Sequence, residues 1–492
     1  MPQFEVAGYP FETVLLAVSL LLVISVVGSR FSALAGMPSL LAFLGIGMLA
    51  GSEGPGGIEF TNYPLTFVLG SVALASIIFD GGLRTRWQSV RPVLWPGISL
   101  ASLGVLVTAL AAGVFARYAL GLSWTYALLL GAIVSSTDAA AVFSILRARS
   151  LGLKGNVKQV LEFEAGSNDP AAVLLTVAVL AYASAPEAGA GPLVLFFAAQ
   201  VGLGLALGYA GGIAIVWLVN HVGIEYEGLY SVLLLAFVIL LLGATSAAGG
   251  SGFLAVYVAG LAVGNAKLLH KESLLKFHDG IAWIAQIALF LTLGLLVFPS
   301  HLPEVWLEGL LLGVFLIVVA RPLCVLVAAP TRRFDWMERL FISWVGLRGA
   351  APILLATLPW SVGLPDAEYF FNLVFFVVLV SVIVQGTTVP WVAKRLGVAE
   401  PLREEPEEAG ALPKGFVFVE IEVQEAAPAE NRRLFELGLP SGVVLTSLER
   451  EGRYSVPAGD TRFHVRDRVL AFARPSNLAT LRETFGEARV RA

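Results

Sequence analysis

The sequence predicts an all-α polytopic membrane domain of about thirteen spanning helices, followed by a small cytoplasmic α+β domain. Three observations carry that expectation. Of the 492 residues, 57% are hydrophobic and 14% charged, against about 25% charged in a soluble domain, and the mean hydropathy is +0.81. The charge is also uneven, since residues 1–400 hold 40 of the 68 Asp, Glu, Lys and Arg and residues 401–492 hold the other 28. Finally, apolar runs near the length that crosses a hydrocarbon core, about 17–25 residues, recur thirteen times before residue 396. One uniform globular fold and disorder are both excluded. The net charge of −4 gives no reason to expect a nucleic-acid partner, and a single cysteine, Cys324, excludes a disulfide framework within the chain. The expected organisation is a transmembrane domain at 1–396, a linker at 397–414 and a cytoplasmic domain at 415–492.

The runs lie near 11–28, 37–50, 63–82, 93–116, 125–146, 157–183, 190–219, 229–248, 251–265, 279–299, 303–328, 336–359 and 367–391. The second and ninth are short. The first has no basic residue before it, so it reads as a retained span and not as a cleaved signal. Basic residues accumulate on the cytoplasmic side of a membrane protein. Alternate loops beginning with Arg30 hold sixteen of them, and the opposite loops hold only Arg117. That asymmetry places the N-terminus outside and the tail in the cytoplasm.

Ionisable residues at bilayer depth are costly and therefore tend to be functional. Asp138 stands nine residues before Arg147, Asp169 eleven after Lys158, and Arg348 nine after Arg339. At helical rise these separations are about 13, 16 and 13 Å, near half of a core roughly 30 Å thick. Three charges from distant segments thus share one depth. The fifth run is interrupted by Ser135, Ser136, Thr137 and Asp138, and the twelfth by Gly346, Gly349 and Pro352 around Arg348. Interrupted spans free backbone groups that must meet protein, water or an ion. A pair of them in corresponding positions of two halves, here spans 1–6 and 8–13, marks a transporter site. The correspondence rests on position, with no repeat visible in the letters.

Glu164 is the natural partner for Arg348, because a buried arginine left unpaired is strongly destabilising. Asp138 and Asp169 remain as acids, with Thr137, Ser167 and Asn168 supplying neutral oxygens for a hard monovalent cation. A carboxylate among such oxygens holds a proton or a cation in turn, which is exchanger chemistry. Glu162 reads as a mouth residue and Asp80 as interfacial. His270 and His278 read as solvated loop residues, Cys324 as packing, and Arg321 as lying near a span end.

The ordered set Ser136-Thr137-Asp138, Glu164-Ala165-Gly166-Ser167-Asn168-Asp169-Pro170 and Gly346-Leu347-Arg348-Gly349 resembles the monovalent cation:proton antiporter-1 family over about residues 10–395. The likeness is greatest to its bacterial potassium/proton antiporter branch. The resemblance implies thirteen spans arranged as inverted repeats, with a dimer domain and a six-helix core domain moving in alternating access. It implies a homodimer in the bacterial inner membrane, with K⁺ or Na⁺ and H⁺ as the transported partners. It assigns proton and cation binding to Asp169, site shaping to Thr137 and Asp138, and a core ion pair to Glu164 and Arg348. Ala165 stands where sodium-type members often carry Ser, which points away from sodium-style coordination. Asn168 stands where electrogenic relatives have a second Asp, which makes one-for-one electroneutral exchange the simpler stoichiometry.

The tail expectations are a strand at FVFVEIEVQ, a short helix at NRRLFELGLP, a strand at GVVLTSLER, a strand at DRVLAFA and a helix from Asn477 to about Phe485. This order resembles the C-terminal subdomain of regulator-of-potassium-conductance proteins (TrkA-C-like), which implies a regulatory module that binds a small ligand. No cofactor is expected. A sodium-selective exchanger and a cation channel with a gating domain are the rival functions. A channel filter such as TVGYG does not occur in the sequence, nor do H-E-x-x-H or G-x-S-x-G, which leaves little for an intramembrane enzyme.

Overall fold

A computed structural model describes residues 5–6, 9–34, 38–184, 190–329, 333–402, 417–440, 442–450 and 453–490. The chain divides into two compact units, Met1–Leu402 and Arg403–Ala492. Of the expected linker at 397–414, residues 397–402 belong to the first unit and 403–414 lie outside the described residues.

The first unit is helical. In order it contains α1 (Phe11–Leu34), α2 (Ser39–Ala50), α3 (Tyr63–Arg84), α4 (Trp87–Ala119), α5a (Trp124–Ile133), α5b (Ala139–Ala148), α6 (Val157–Ser184) and α7 (Ala190–His221). Then come α8 (Glu227–Ala247), α9 (Gly252–Asn265), α10 (Lys271–Leu295), α11 (Pro299–Ala328), α12a (Trp336–Trp344), α12b (Ala350–Trp360) and α13 (Ala367–Arg395). Among the described residues, eight helices are long and apolar enough to cross a membrane. The other passages are short (α2, α9), broken (α5, α12) or interrupted by charge (α6).

The two halves repeat in structure what the letters hide. Both α4 and α11 contain a π-helical turn, at Leu100–Gly104 and Leu316–Ala320, and each leads into a broken span. The crossings repeat too. On α2, a β-carbon at Gly47 would strike the Leu291 carbonyl of α10 and crowd Gly294. On α9, one at Gly260 would lie 2.7 Å from the Phe79 carbonyl of α3 and crowd Gly82. Small residues let two backbones approach this closely. The α2–α10 crossing therefore maps onto the α9–α3 crossing when the halves exchange.

The loop between α5b and α6 carries β1 (Leu151–Leu153), which pairs antiparallel with β2 (Ala399–Pro401) just after α13. Lys154 Nζ donates to the Gly397 carbonyl at 2.9 Å, and Leu402 N–H to Ser150 O at 3.0 Å. The chain leaving the first unit is thus strapped to the loop that joins two broken or polar spans.

The second unit is an antiparallel sheet in the order β5-β4-β6-β3-β7, from β3 (Val417–Val423), β4 (Val443–Arg450), β5 (Arg453–Ser455), β6 (Arg468–Ala473) and β7 (Gly486–Val490), with α14 (Leu478–Phe485) on it. Alternate residues Val419, Ile421 and Val423 meet Val469, Ala471, Leu481 and Phe485 in its core. One expectation fails here. NRRLFELGLP is not a helix but contains only a 3₁₀ turn at Leu434–Glu436. Its backbone is taken by a neighbouring segment: Asn431 N–H donates to Phe463 O and Leu434 N–H to Thr461 O, both at 2.9 Å.

Candidate functional site

The site is made by the two interruptions. Ser, Thr and Asp hydrogen-bond locally and compete with helix backbone, so α5a stops at Ile133 and the chain runs unwound through Thr137. Asp138 restarts the helix as an N-cap, with Oδ1 accepting from Ala141 N–H at 3.0 Å. Its own N–H donates to the Leu347 carbonyl at 2.7 Å, tying one break to the other. In the second break Gly349 has no room for a side chain, because a β-carbon there would strike the Asp138 carboxylate.

Arg348 is 2% exposed. Its Nη1 donates to the carbonyls of Ser135 at 2.8 Å and Ser136 at 2.5 Å. A cation thereby sits at the negative end of α5a, and the Asp138 carboxylate sits at the positive starts of α5b and α12b. Asn168, on α6, donates from Nδ2 to Thr137 O at 2.8 Å and Thr137 Oγ1 at 2.7 Å. Its Oδ1 is buried and has no hydrogen-bond partner among the described residues. Asp169 follows, beside the Ser136 hydroxyl and within electrostatic reach of Asp138. Pro170 has no N–H to return to the Gly166 carbonyl, so one more backbone oxygen is freed at this level.

A cavity of about 550 Å³ leads to these groups and is lined by Ser136, Thr137, Asp138 and Asp169 at depth. Arg84, Arg147, Glu162 and Asp279 line its other end. There Arg84 bridges Asp80 at 2.8 Å and Asp279 at 2.5 Å, and Glu162 lies 3.9 Å from Lys158. Among the described residues, no group of three or more His, Cys, Asp and Glu is arranged to hold a metal ion. The donors present are the oxygens of carboxylates, hydroxyls, an amide and backbone, a hard set with no soft or imidazole ligand.

Three expectations need correction. The first concerns the core ion pair, which joins Glu164 to Arg321 and not to Arg348. Arg321 Nη1 and Nη2 reach the two Glu164 oxygens at 2.5 and 2.9 Å, with both side chains 3% exposed. Arg348 is occupied instead with the freed carbonyls of α5. Arg321 is not near a span end, since it follows directly on the π-turn inside α11. It lies eleven residues before Arg332, the same separation that placed Asp169 at depth, so the signal was in the sequence. The second is Ser167, which the structure does not bring to the cavity: its hydroxyl donates back to Phe163 O at 2.8 Å. Two positions along a helix is about 200° of rotation from Asp169, which turns it away. The third is His278, a buried residue of α10 set edge-on to Phe79 at 5.3 Å and not a loop residue. Helix α10 begins at Lys271, eight residues earlier than the apolar run suggested.

The charges at this depth now sort themselves. Glu164 is paired, Arg348 holds carbonyls, and Asp138 caps a helix. Asp169 has no cationic partner among the described residues and opens on the cavity.

Comparison with known proteins identifies relatives of both units. The family model described as "Sodium/hydrogen exchanger, transmembrane" matches residues 17–395, and that of the TrkA-C domain matches residues 418–486. The chain is similar to the K(+)/H(+) antiporter NhaP2 of Shewanella sp. (strain MR-4), with 41% identity over 478 residues, 96% of this chain and 83% of that one. It is 39% identical over 469 residues to the K(+)/H(+) antiporter NhaP of Alkalimonas amylolytica, 94% of this chain and 82% of that one. Among solved structures it resembles the sodium proton antiporter MjNhaP1 from Methanocaldococcus jannaschii. The TM-score is 0.68 at 22% identity, covering 78% of this chain and 99% of that chain.

Proposed function

The chain belongs to the sodium/hydrogen exchanger family and carries a TrkA-C domain, and from that premise we propose that it exchanges potassium for protons across the bacterial plasma membrane. The observation that carries the reading is Asp169, a carboxylate at bilayer depth, open to a cavity and without a fixed cationic partner. Deprotonated, it attracts a cation and completes its shell with the oxygens of Thr137, Asn168 and Asp138. Protonated, it is neutral and releases that cation. Either form leaves the site with little net charge, which favours carriage past the hydrocarbon wall. Movement of the core helices then exposes Asp169 to the other side.

The basic loops assign the end of the cavity at Arg84 and Arg147 to the cytoplasm and the N-terminus to the outside, so the conformation is read as inward-facing. Asn168 spends its amide N–H groups on Thr137, so one carboxylate exchanges and one cation moves per proton. Ala165, with no hydroxyl, and the names of the relatives favour potassium over sodium. The test is proton flux in liposomes holding the purified protein, titrated separately with K⁺, Na⁺ and Li⁺. Flux at the lowest concentrations of K⁺, unaffected by clamping the membrane potential, is the expected result. Preference for Na⁺ refutes the ion assignment, and flux that generates a potential refutes electroneutrality.

The tail is read as a cytoplasmic regulatory module that takes a small ligand, in a protein working as a homodimer. The chain that leads to it leaves the first unit from the β1–β2 strap, where residues 399–401 pair with the loop joining α5b and α6. A chain ending at Leu402 is expected to exchange cations with an altered dependence on pH. Unaltered rate, ion preference and pH profile refute the regulatory role.

A further inference from the structure

The break in α5 and the break in α12 each meet, on one side, a carboxamide side chain from the helix that follows. For α5 the residue is Asn168 of α6, donating to Thr137 O. For α12 it is Gln385 of α13, whose Nε2 donates at 2.6 Å to the carbonyl of Trp344, the last residue of α12a. Exchange of the two halves maps α5 onto α12 and α6 onto α13, so the two amides come from corresponding helices, but they hold opposite ends of their breaks: Thr137 precedes α5b, and Trp344 ends α12a. The contact at α12 has an added part. Ser381, one turn before Gln385, donates to Gln385 Oε1 at 2.5 Å and accepts from the Arg348 N–H at 2.9 Å. Arg348 in turn grips the Ser135 and Ser136 carbonyls, next to Thr137 and Asp138.

We propose that Ser381 and Gln385 are positioning residues for cation exchange: together they splint the unwound part of α12 and aim Arg348 at the freed carbonyls of α5. Ser381 is 2% exposed and Gln385 0%, so neither is solvated and neither is placed by lipid. Neither touches the cavity. Their route to the cation runs Gln385, Ser381, Arg348 backbone, Arg348 guanidinium, Ser135 and Ser136 carbonyls, and then the oxygens beside them. Polar groups behind the direct ligands of an ion fix ligand orientation, and their loss typically weakens binding by about 10–100-fold. A low-dielectric surround makes such a chain sensitive to the loss of one member.

The inference rests on the exchange reading above, and the test separates the two. Full-length wild type, Ser381→Ala and Gln385→Asn are reconstituted in liposomes, and proton flux is recorded against K⁺ concentration. Ser381→Ala removes the bridging oxygen, while Gln385→Asn keeps an amide too short to reach Trp344 O. Both are expected to raise the half-saturating K⁺ concentration about tenfold, with a much smaller change in maximal rate per folded protein. A purely structural role lowers the amount of folded protein or the maximal rate and leaves half-saturation in place. That outcome, in either variant, overturns the inference alone. A wild type that moves no protons in response to cations overturns the exchange reading and this inference with it.

Discussion

Asp169→Asn is expected to abolish cation-driven proton flux in liposomes, down to the level of empty vesicles. Asparagine keeps the size and the hydrogen-bonding oxygen but can neither take up a proton nor neutralise a cation. The same substitution is expected to leave thermal stability unchanged or raised, because a carboxylate without a counter-charge is a costly group to hold at this depth. Loss of flux together with retained or improved melting temperature is thus the signature of a functional acid. Retained flux would move the exchanging role elsewhere, with Asp138 the first candidate by position. Asp138 is the less suited of the two, since its Oδ1 is committed to the start of α5b.

The second large effect is on folding. Glu164→Gln leaves the Arg321 guanidinium buried without its partner, and breaking a buried pair from one side costs about 3–5 kcal/mol. A sharp fall in thermal midpoint in detergent is the expected readout. The double variants tell which arginine is the partner. Glu164→Gln with Arg321→Gln is expected to recover much of the loss, because both charges have gone. Glu164→Gln with Arg348→Gln is expected to be worse than either single change, because Arg348 has a separate task at the α5 carbonyls. Recovery with Arg348 and not with Arg321 would reverse the assignment.

What could be read from the letters, and what could not, follows from the kind of signal each feature leaves. Charges are rare before residue 400, so the distance of Asp138, Asp169 and Arg348 from the nearest basic loop residue was enough to bring them to one level. The breaks in α5 and α12 were legible because Ser-Ser-Thr-Asp and Gly-x-x-Gly are poor helix interiors. Pairing was not legible, because it depends on how helices cross. Arg348 meets carbonyls that exist as acceptors only where α5 has unwound, and Arg321 reaches Glu164 from a helix whose π-turn leaves no mark in composition. Ser381 and Gln385 went unread for a plainer reason. A lone Ser in an apolar helix usually bonds its own backbone, as Ser167 does here, and Gln385 carries no charge to set it apart within its span. In the tail, the strand Gly486–Val490 was missed because it starts directly at the end of α14. Gly486, at φ 97°, makes that reversal without a loop.

The central claim is that one carboxylate, Asp169, holds a proton and a cation alternately. The most direct measurement is the half-saturating K⁺ concentration of the reconstituted protein across a series of pH values. Competition for one carboxylate requires that concentration to rise as pH falls, approaching about tenfold for each unit once the acid is mostly protonated, with the maximal rate at saturating K⁺ much less affected. A half-saturating concentration that stays constant with pH, while the maximal rate alone changes, would mean that proton and cation do not share Asp169.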